Sequence, residues 1–269
     1  SVEGFDGLVL GPNVDEELAG DAVWTKTAPA GGSIEESGVP GVGDPDQDGV
    51  TEWAGWSFAD KDWWAAATGD QRRSEFTKAS GNIAIADGEE WDEQPHAEGY
   101  LDTFLSWPVN IAGAAAGSLE LLFDSSWRPE YDSNYHQTAN ITVSFDGGEA
   151  IEVMRWESDS NSPNFHDHNT NESVAVALNN PAGASSMVVT FGYFDAGNDW
   201  WWAIDNVQIA AGGGSGIAIS SEGGQIAITW ESGALQTAPA VTGPWTPVDG
   251  ASSPYTVDAS QGQAFFRAQ

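Results

Sequence analysis

The chain has 269 residues, 41 of them acidic and 8 basic, which gives a formal net charge of −33 at pH 7. Nucleic acids and anionic membrane surfaces attract cationic patches, so this charge argues against both as partners. The absence of cysteine excludes disulfides and thiolate metal sites. No apolar run reaches the roughly 18 residues that a membrane-spanning helix needs, so membrane insertion is not expected.

The 14 tryptophans and 32 glycines suit an all-β protein with many tight turns. Short alternating segments separated by turn residues predict two domains, a jelly-roll-like β-sandwich over residues 1–210 and a small second β-sandwich over residues 216–269. The Gly-rich residues 211–215 are interpreted as a flexible linker. The second domain carries a net charge of −3 and the first −30, so cation chemistry is expected in the first.

The sharpest local motif is the acidic loop at residues 44–52. Three alternating aspartates precede Gly49, which matches the first half of a calcium-binding loop. Calcium takes about six to eight hard oxygen ligands, and closely spaced carboxylates around a glycine turn can supply them. Gly55 stands where an EF-hand would have its bidentate glutamate, so an EF-hand is excluded. The alternatives are an exposed acidic turn and a calcium site formed by Asp44, Asp46, Asp48 and Glu52.

Aromatic residues lie among acids between residues 53 and 107. Arg72 and Arg73 are two of the eight basic residues in the chain, and we interpret them as structural ion-pair partners rather than as an anion site. The segment EEWDE at residues 89–93 is expected to be an acidic loop.

Several segments alternate between apolar and polar residues, as strands with one buried face do. The turn Asp146-Gly147-Gly148 predicts a hairpin between two of them. The spacing of strands and turns is typical of a sandwich rather than of βαβ units. The predicted strands are residues 82–87, 100–107, 118–125, 140–145, 149–156, 173–178 and 186–194.

The aromatic run at residues 200–209 predicts the strand that closes the first domain. Alternation places Trp200 and Trp202 on one face and Trp201 on the other, together with Asp205. A carboxylate among apolar residues needs a partner. A bound cation and a buried hydrogen-bond network are the two candidates.

The segment DWWWAIDNV at residues 199–207 resembles the last strand of jelly-roll modules of the MAM and carbohydrate-binding type found in secreted bacterial proteins. The segment VEGFDGL at residues 2–8 looks like the matching first strand. The resemblance implies that these two strands lie together and that Asp6 and Asp205 help to hold a structural calcium ion. Residues 235–267 look like a small C-terminal module of secreted environmental bacterial proteins.

No nucleophile elbow, zinc-protease motif or phosphate-binding glycine loop is present. The sequence therefore favours a non-catalytic, secreted calcium-binding structural protein that associates with copies of itself as a matrix, surface or filament subunit. Ser1 in place of an initiator methionine fits a chain whose signal peptide has been removed, and an artificially shortened chain would begin in the same way.

Two other functions stay open. The first is a carbohydrate-binding protein that recognises a polysaccharide, with a neutral glycan preferred because the first domain is so acidic. The second is a glycan-active enzyme, which needs only two carboxylates. The aromatic residues predicted to stack on sugars are Trp63, Trp64, Trp127, Tyr131, Tyr135 and Trp201.

Overall fold

The computed structural model describes residues 2–15, 18–39, 55–93, 100–131, 136–197, 200–211, 217–222, 225–230, 234–240, 243–258 and 264–268. The chain divides into two compact units. The first unit comprises Ser1–Gly113, Leu121–Val176 and Ala184–Ala210, and the second comprises Ala114–Glu120, Ala177–Gly183 and Ala211–Gln269. Most residues of the predicted linker lie outside the described residues, so its role as a linker stays a prediction.

The first thirteen strands build two antiparallel sheets. Within the described residues, the larger sheet runs β11-β8-β13-β6-β5-β3-β2, with β1 also paired to β13, and the five-stranded sheet runs β10-β9-β12-β7-β4. The bounds are β1 Val2–Glu3, β2 Asn13–Asp15, β3 Leu18–Thr25, β4 Ser33–Gly38, β5 Ser57–Asp60, β6 Asn82–Asp87, β7 Leu101–Asn110, β8 Leu119–Arg128, β9 Thr138–Phe145, β10 Ile151–Glu157, β11 Asn169–Ala177, β12 Ser186–Ala196 and β13 Trp201–Ala211.

The two sheets pack face to face through aromatic side chains. Phe191 of the five-stranded sheet meets Phe123 of the larger sheet edge to face, with ring centroids 5.4 Å apart. Phe191 also lies 5.6 Å from Trp202 and 5.5 Å from Trp107, both measured between ring centroids. Two antiparallel sheets that pack through their inward-facing side chains form a β-sandwich. This packing therefore confirms the predicted jelly-roll-like sandwich.

Strand β13 is buried on both faces, with the alternation that the sequence predicts. Trp202 packs into the sandwich core. Trp201 packs on the opposite side of the sheet, in a second cluster with Trp64 and Phe76. Strands β1 and β13 pair antiparallel, with Val2 opposite Gln208, so the first and last strands of the sandwich lie together as the resemblance implies.

In the described part of the chain, two short helices and a 3₁₀ turn at Arg73–Glu75 interrupt the strands. Helix α1, Lys61–Ala67, begins after Asp60, whose carboxylate accepts the backbone N–H groups of Asp62 and Trp63. Helix α2, Gly88–Glu93, replaces the predicted acidic loop, so that prediction is wrong. The cause lies in the tertiary structure. The Trp91 side chain is fully buried and so holds helix α2 against the rest of the fold. None of the described helices is long and apolar enough to cross a membrane.

The second unit contains a small β-sandwich of two three-stranded sheets, ordered β14-β15-β18 and β17-β16-β19 within the described residues. Its buried cluster is formed by Ile228, Trp230 and Leu235, and the Arg267 guanidinium lies over the Trp245 ring at 4.6 Å. The fold class is therefore all-β in both units, as predicted. The bounds are β14 Ala218–Glu222, β15 Gln225–Thr229, β16 Leu235–Ala238, β17 Thr246–Pro247, β18 Tyr255–Asp258 and β19 Phe265–Ala268.

Candidate functional site

The side of the five-stranded sheet that faces away from the core presents a group of aromatic, amide and charged side chains. We call this side the outer face. On β7 the side chains of Leu101, Thr103 and Leu105 are buried, which turns Asp102, Phe104 and Ser106 outward. The same alternation on β12 buries Val189 and Phe191 and turns the alternate residues out.

Two phenylalanines form the aromatic centre of the outer face. Phe104 on β7 and Phe194 on β12 stack with ring centroids 5.9 Å apart and an interplanar angle of 25°. Both rings are half-buried rather than enclosed. They therefore offer apolar surface to a ligand on a face whose other side chains are mostly polar.

An ion cluster lies beside the phenylalanine pair. The Arg155 guanidinium lies 5.5 Å from the centre of the Phe194 ring and pairs with both Glu152 and Glu157. Asn140 joins this cluster, because its Nδ2 donates to Glu152 Oε2 at 2.8 Å. These bonds hold one guanidinium, one amide and two carboxylates in defined orientations next to an aromatic surface.

Hydrogen bonds stabilise the charged forms of Arg155 and Glu157. The Ser162 hydroxyl and the Arg155 guanidinium lower the pKa of Glu157, and the bond to Glu157 raises the pKa of Arg155. Arg155 and Glu157 are therefore both charged at neutral pH.

The β4 side of the outer face is acidic. Asp102 accepts the backbone N–H of Asp195 at 2.8 Å, and Glu35 lies opposite Phe104 in the strand register. Burial raises the pKa of Asp102, and the charges of Asp195 and Glu35 raise it further. This crowding of carboxylates gives the outer face more negative than positive charge.

Three of the aromatic residues predicted to bind sugars are enclosed in the fold. Trp64, Trp127 and Trp201 each have 0% of their surface exposed, so their prediction as exposed stacking faces is wrong. Trp64 and Trp201 pack edge to face at 5.6 Å, and Trp127 Nε1 donates to the carbonyl of His166. An aromatic run predicts large contact area but does not say whether another element of the chain covers it.

The other three aromatic residues predicted to bind sugars differ in exposure and position. Trp63 is half-buried against the cluster beneath helix α1. Tyr131 is 48% exposed, and its ring lies 6.2 Å from that of His136. Neither residue lies on the five-stranded sheet, and Tyr135 lies outside the described residues.

Residue-level reading of the sequence missed Phe104, Asn140, Arg155 and Phe194 as binding candidates. The available signal was the alternation in the strands predicted at 100–107 and 186–194. This alternation points the Phe104 side chain away from that of Leu105. Phe104 therefore lies on the side of the sheet that faces away from the sandwich core. What brings the four side chains together is the pairing of β7, β12, β9 and β10 across the sheet.

Asp6 and Asp205 lie against the same short segment of backbone. Asp6 Oδ1 accepts the N–H of Asn82 at 2.9 Å, and Asp205 Oδ2 accepts the N–H of Ser80 at 3.1 Å. The N–H of Asn206 donates to Asp205 Oδ1 at 2.7 Å. Burial raises the pKa of Asp205 to about 6, and the charges of Asp6 and Asp124 raise it while the two N–H bonds lower it.

This aspartate pair does not by itself form a calcium ligand set, because calcium takes about six to eight oxygens. Across the described residues, no group of three or more His, Asp or Glu side chains comes together in a way that could hold a metal ion. The loop with Asp44, Asp46, Asp48 and Glu52 lies outside the described residues. Calcium binding therefore stays a prediction.

Comparisons with known proteins identify β-sandwich neighbours and no family. No protein-family model and no curated protein sequence matches the chain. An adhesin domain of Lys-gingipain from Porphyromonas gingivalis is 17% identical, with a TM-score of 0.41, over 69% of this chain and 93% of that domain. The carbohydrate-binding module TmCBM61, solved with β-1,4-galactotriose, is 13% identical, with a TM-score of 0.37, over 67% of this chain and 88% of the module.

An enzyme domain is also among the neighbours. The xyloglucanase domain of the effector NopAA from Sinorhizobium fredii is 8% identical, with a TM-score of 0.32, over 69% of this chain and 94% of that domain. At these scores the likenesses carry no functional inference, so the function is inferred from the residues of this chain.

Proposed function

We propose that the protein binds a polysaccharide on the outer face of its five-stranded sheet. The observation that supports this most directly is the stacked, half-buried pair of Phe104 and Phe194 on a face that is otherwise polar. The C–H groups of a pyranose ring can cover such rings and remove their apolar surface from water. Ligand sites typically combine aromatic surface with a few oriented polar groups, and this face has both.

The polar groups beside the rings suit the hydroxyls of a sugar. A hydroxyl both donates and accepts hydrogen bonds, so recognition needs acceptors and donors close together. Glu152 and Glu157 supply carboxylate acceptors, and Arg155 supplies guanidinium donors. Because these groups already orient one another, a sugar would meet a preorganised set of partners.

The charge of the outer face selects against acidic polysaccharides. Glu35, Asp102, Glu152 and Glu157 are carboxylates, and Arg155 is held by two of them. The chain as a whole carries −33. Uronic or sulfated chains would be repelled by this field. The proposed ligand is therefore a neutral polysaccharide.

Affinity electrophoresis in gels containing neutral or acidic polysaccharides, followed by calorimetry on any ligand found, tests the proposal. Phe104→Ala and Phe194→Ala should each weaken binding about tenfold, the value expected when an aromatic contact is lost. Tyr131→Ala is the matched control, because it removes an exposed ring that the sequence predicted to bind sugar and that lies off this face. Full binding by both phenylalanine variants would contradict the proposal.

The secreted, self-associating structural role is the alternative function, and a glycan-active enzyme is the second alternative. The high net negative charge favours the self-associating structural role, since cations could bridge copies of the chain. Incubation of the wild-type protein with the polysaccharide it binds, followed by measurement of reducing ends, separates a binding protein from an enzyme. New reducing ends would favour the enzyme.

A further inference from the structure

Gly192 lies near the centre of the outer face, on β12 between its two neighbouring strands. Its cross-strand partners are Phe104 on β7 and Asn140 on β9. Both partner side chains lean over the glycine. A Cβ atom added at this position would lie 2.4 Å from Asn140 Oδ1 and 2.9 Å from two carbons of the Phe104 ring. These distances are shorter than van der Waals contact, so any side chain at residue 192 would push its partners away.

The orientation of Asn140 is set from the other side. Its Nδ2 donates to Glu152 Oε2 at 2.8 Å, and Glu152 is in turn paired with Arg155. The amide oxygen is therefore the end of the side chain that lies over Gly192. The Phe104 ring is oriented by its stacking on Phe194. An aromatic ring and a hydrogen-bond acceptor thus meet above Gly192, where the lack of a side chain leaves room for both, and Asn140 keeps 9% of its surface exposed.

We propose that Gly192 is a positioning residue for sugar recognition. By lacking a side chain, it lets the Phe104 ring and the Asn140 amide oxygen approach each other over the central part of the face. A sugar residue can then stack on the ring and donate a hydroxyl to the amide oxygen beside it. This inference rests on the proposed function of the outer face and adds a requirement to it: the sugar bound at Phe104 has a free hydroxyl at the edge nearest Asn140.

The test is Gly192→Ala, measured by calorimetry with the polysaccharide identified for the wild-type protein. The added methyl group should displace the ring and the amide together and weaken binding about tenfold or more. Gly7→Ala is the matched control, because a Cβ at Gly7 meets nothing within 4 Å. The control should bind like the wild type.

A double-mutant cycle separates positioning from a general loss of structure. If Gly192 acts through its two partners, Gly192→Ala should have no further effect on affinity in a Phe104→Ala/Asn140→Ala background. An equal loss in both backgrounds would overturn the inference. If Gly192→Ala fails to fold, Asn140→Ala/Gly192→Ala relieves the closest contact. That variant should still bind more weakly than Asn140→Ala alone, and equal binding would overturn the inference.

The outcomes also distinguish this inference from the function on which it rests. Wild-type affinity of Gly192→Ala, together with weak binding by Phe104→Ala, overturns the positioning role and leaves the proposed function standing. Wild-type affinity of both Phe104→Ala and Phe194→Ala contradicts the proposed function itself.

Discussion

Arg73 is buried within the fold among charged and aromatic partners. Its guanidinium pairs with Asp87 at 2.9 Å and with Glu90 at 3.1 Å, and its side chain is 0% exposed. The rings of Trp64 and Trp201 lie 5.5 and 4.4 Å from it. The neighbouring Arg72 pairs with Glu75 at the surface. The interpretation of both arginines as structural ion-pair partners is therefore confirmed.

Replacing Arg73 should be strongly destabilising. Arg73→Met leaves two carboxylates buried without their cation, and breaking a buried pair in this way typically costs about 3–5 kcal/mol of unfolding free energy. Urea denaturation measures the loss. Arg72→Met is the matched control and should leave the midpoint nearly unchanged, because its ion pair is exposed to solvent. Equal midpoints for the two variants would contradict the account. Adding Asp87→Asn and Glu90→Gln to Arg73→Met should restore part of the lost unfolding free energy, because no buried carboxylate is then left without its cation.

Asp205 should make stability depend on pH. Its folded pKa of about 6 lies above the ordinary value of 3.8, so the folded state favours the protonated form. Its contribution to stability is therefore present at pH values below 3.8 and is lost as pH rises through 6. This loss amounts to about 3 kcal/mol for a shift of this size. Other carboxyls, such as Glu75 with a pKa lowered to about 2, act in the opposite direction.

The contribution of Asp205 is isolated by comparing Asp205→Asn with the wild type in EDTA. The difference in unfolding free energy should move in favour of the variant by about 2 kcal/mol between pH 4 and pH 7.5, because part of the contribution is already lost at pH 4. Denaturant melts at several pH values measure it. A difference that stays constant over this range would show that burial does not raise the pKa of Asp205.

At the scale of single elements, strand β13 is central to the core because both of its faces are covered. Trp202 is 0% exposed and contacts aromatic rings from both sheets. Trp202→Ala should therefore create a large cavity and destabilise the fold by about 3–5 kcal/mol. Phe165→Ala removes a ring that is 41% exposed and should cost about 1 kcal/mol or less. Thermal or urea unfolding measures both. Similar losses for the two variants would contradict the central role of β13.

The acidic segment at residues 44–52 is one of the two predicted calcium sites, and the pair Asp6 and Asp205 is the other. If calcium binds only the native state, it should raise stability by about 2.7 kcal/mol at a hundredfold excess over its Kd. Melting of the wild type in EDTA and in millimolar calcium, at equal ionic strength, tests this. Asp46→Asn should reduce the stabilisation by calcium if the ion binds at residues 44–52. Asp205→Asn should reduce it if the ion binds at Asp6 and Asp205. Identical melting midpoints in the two buffers would exclude a stabilising calcium site.

At the scale of the whole molecule, the charge of −33 opposes close contact between copies of the chain. Like charges repel over a Debye length of about 8 Å at physiological ionic strength, so close contacts between copies need cations. Calcium should therefore promote self-association more than sodium does at equal ionic strength. Light scattering across a calcium titration measures this effect. A protein that stays monomeric in calcium while binding a neutral polysaccharide would leave carbohydrate binding as the better supported function.

The sequence by itself determined the all-β class, the sandwich, the hairpin at Asp146-Gly147-Gly148 and the two faces of β13. These features follow from alternation and turn chemistry, which are local. Only the tertiary structure decided which aromatic residues are exposed. Trp201 is covered because Trp64 of α1 packs on it, and the Arg73 guanidinium lies over both rings. The candidate site forms through cross-strand register, which joins Phe104 to Gly192 and Asn140 from distant segments. A one-dimensional pattern states which side chains share a face, but the folding of distant segments decides what covers that face.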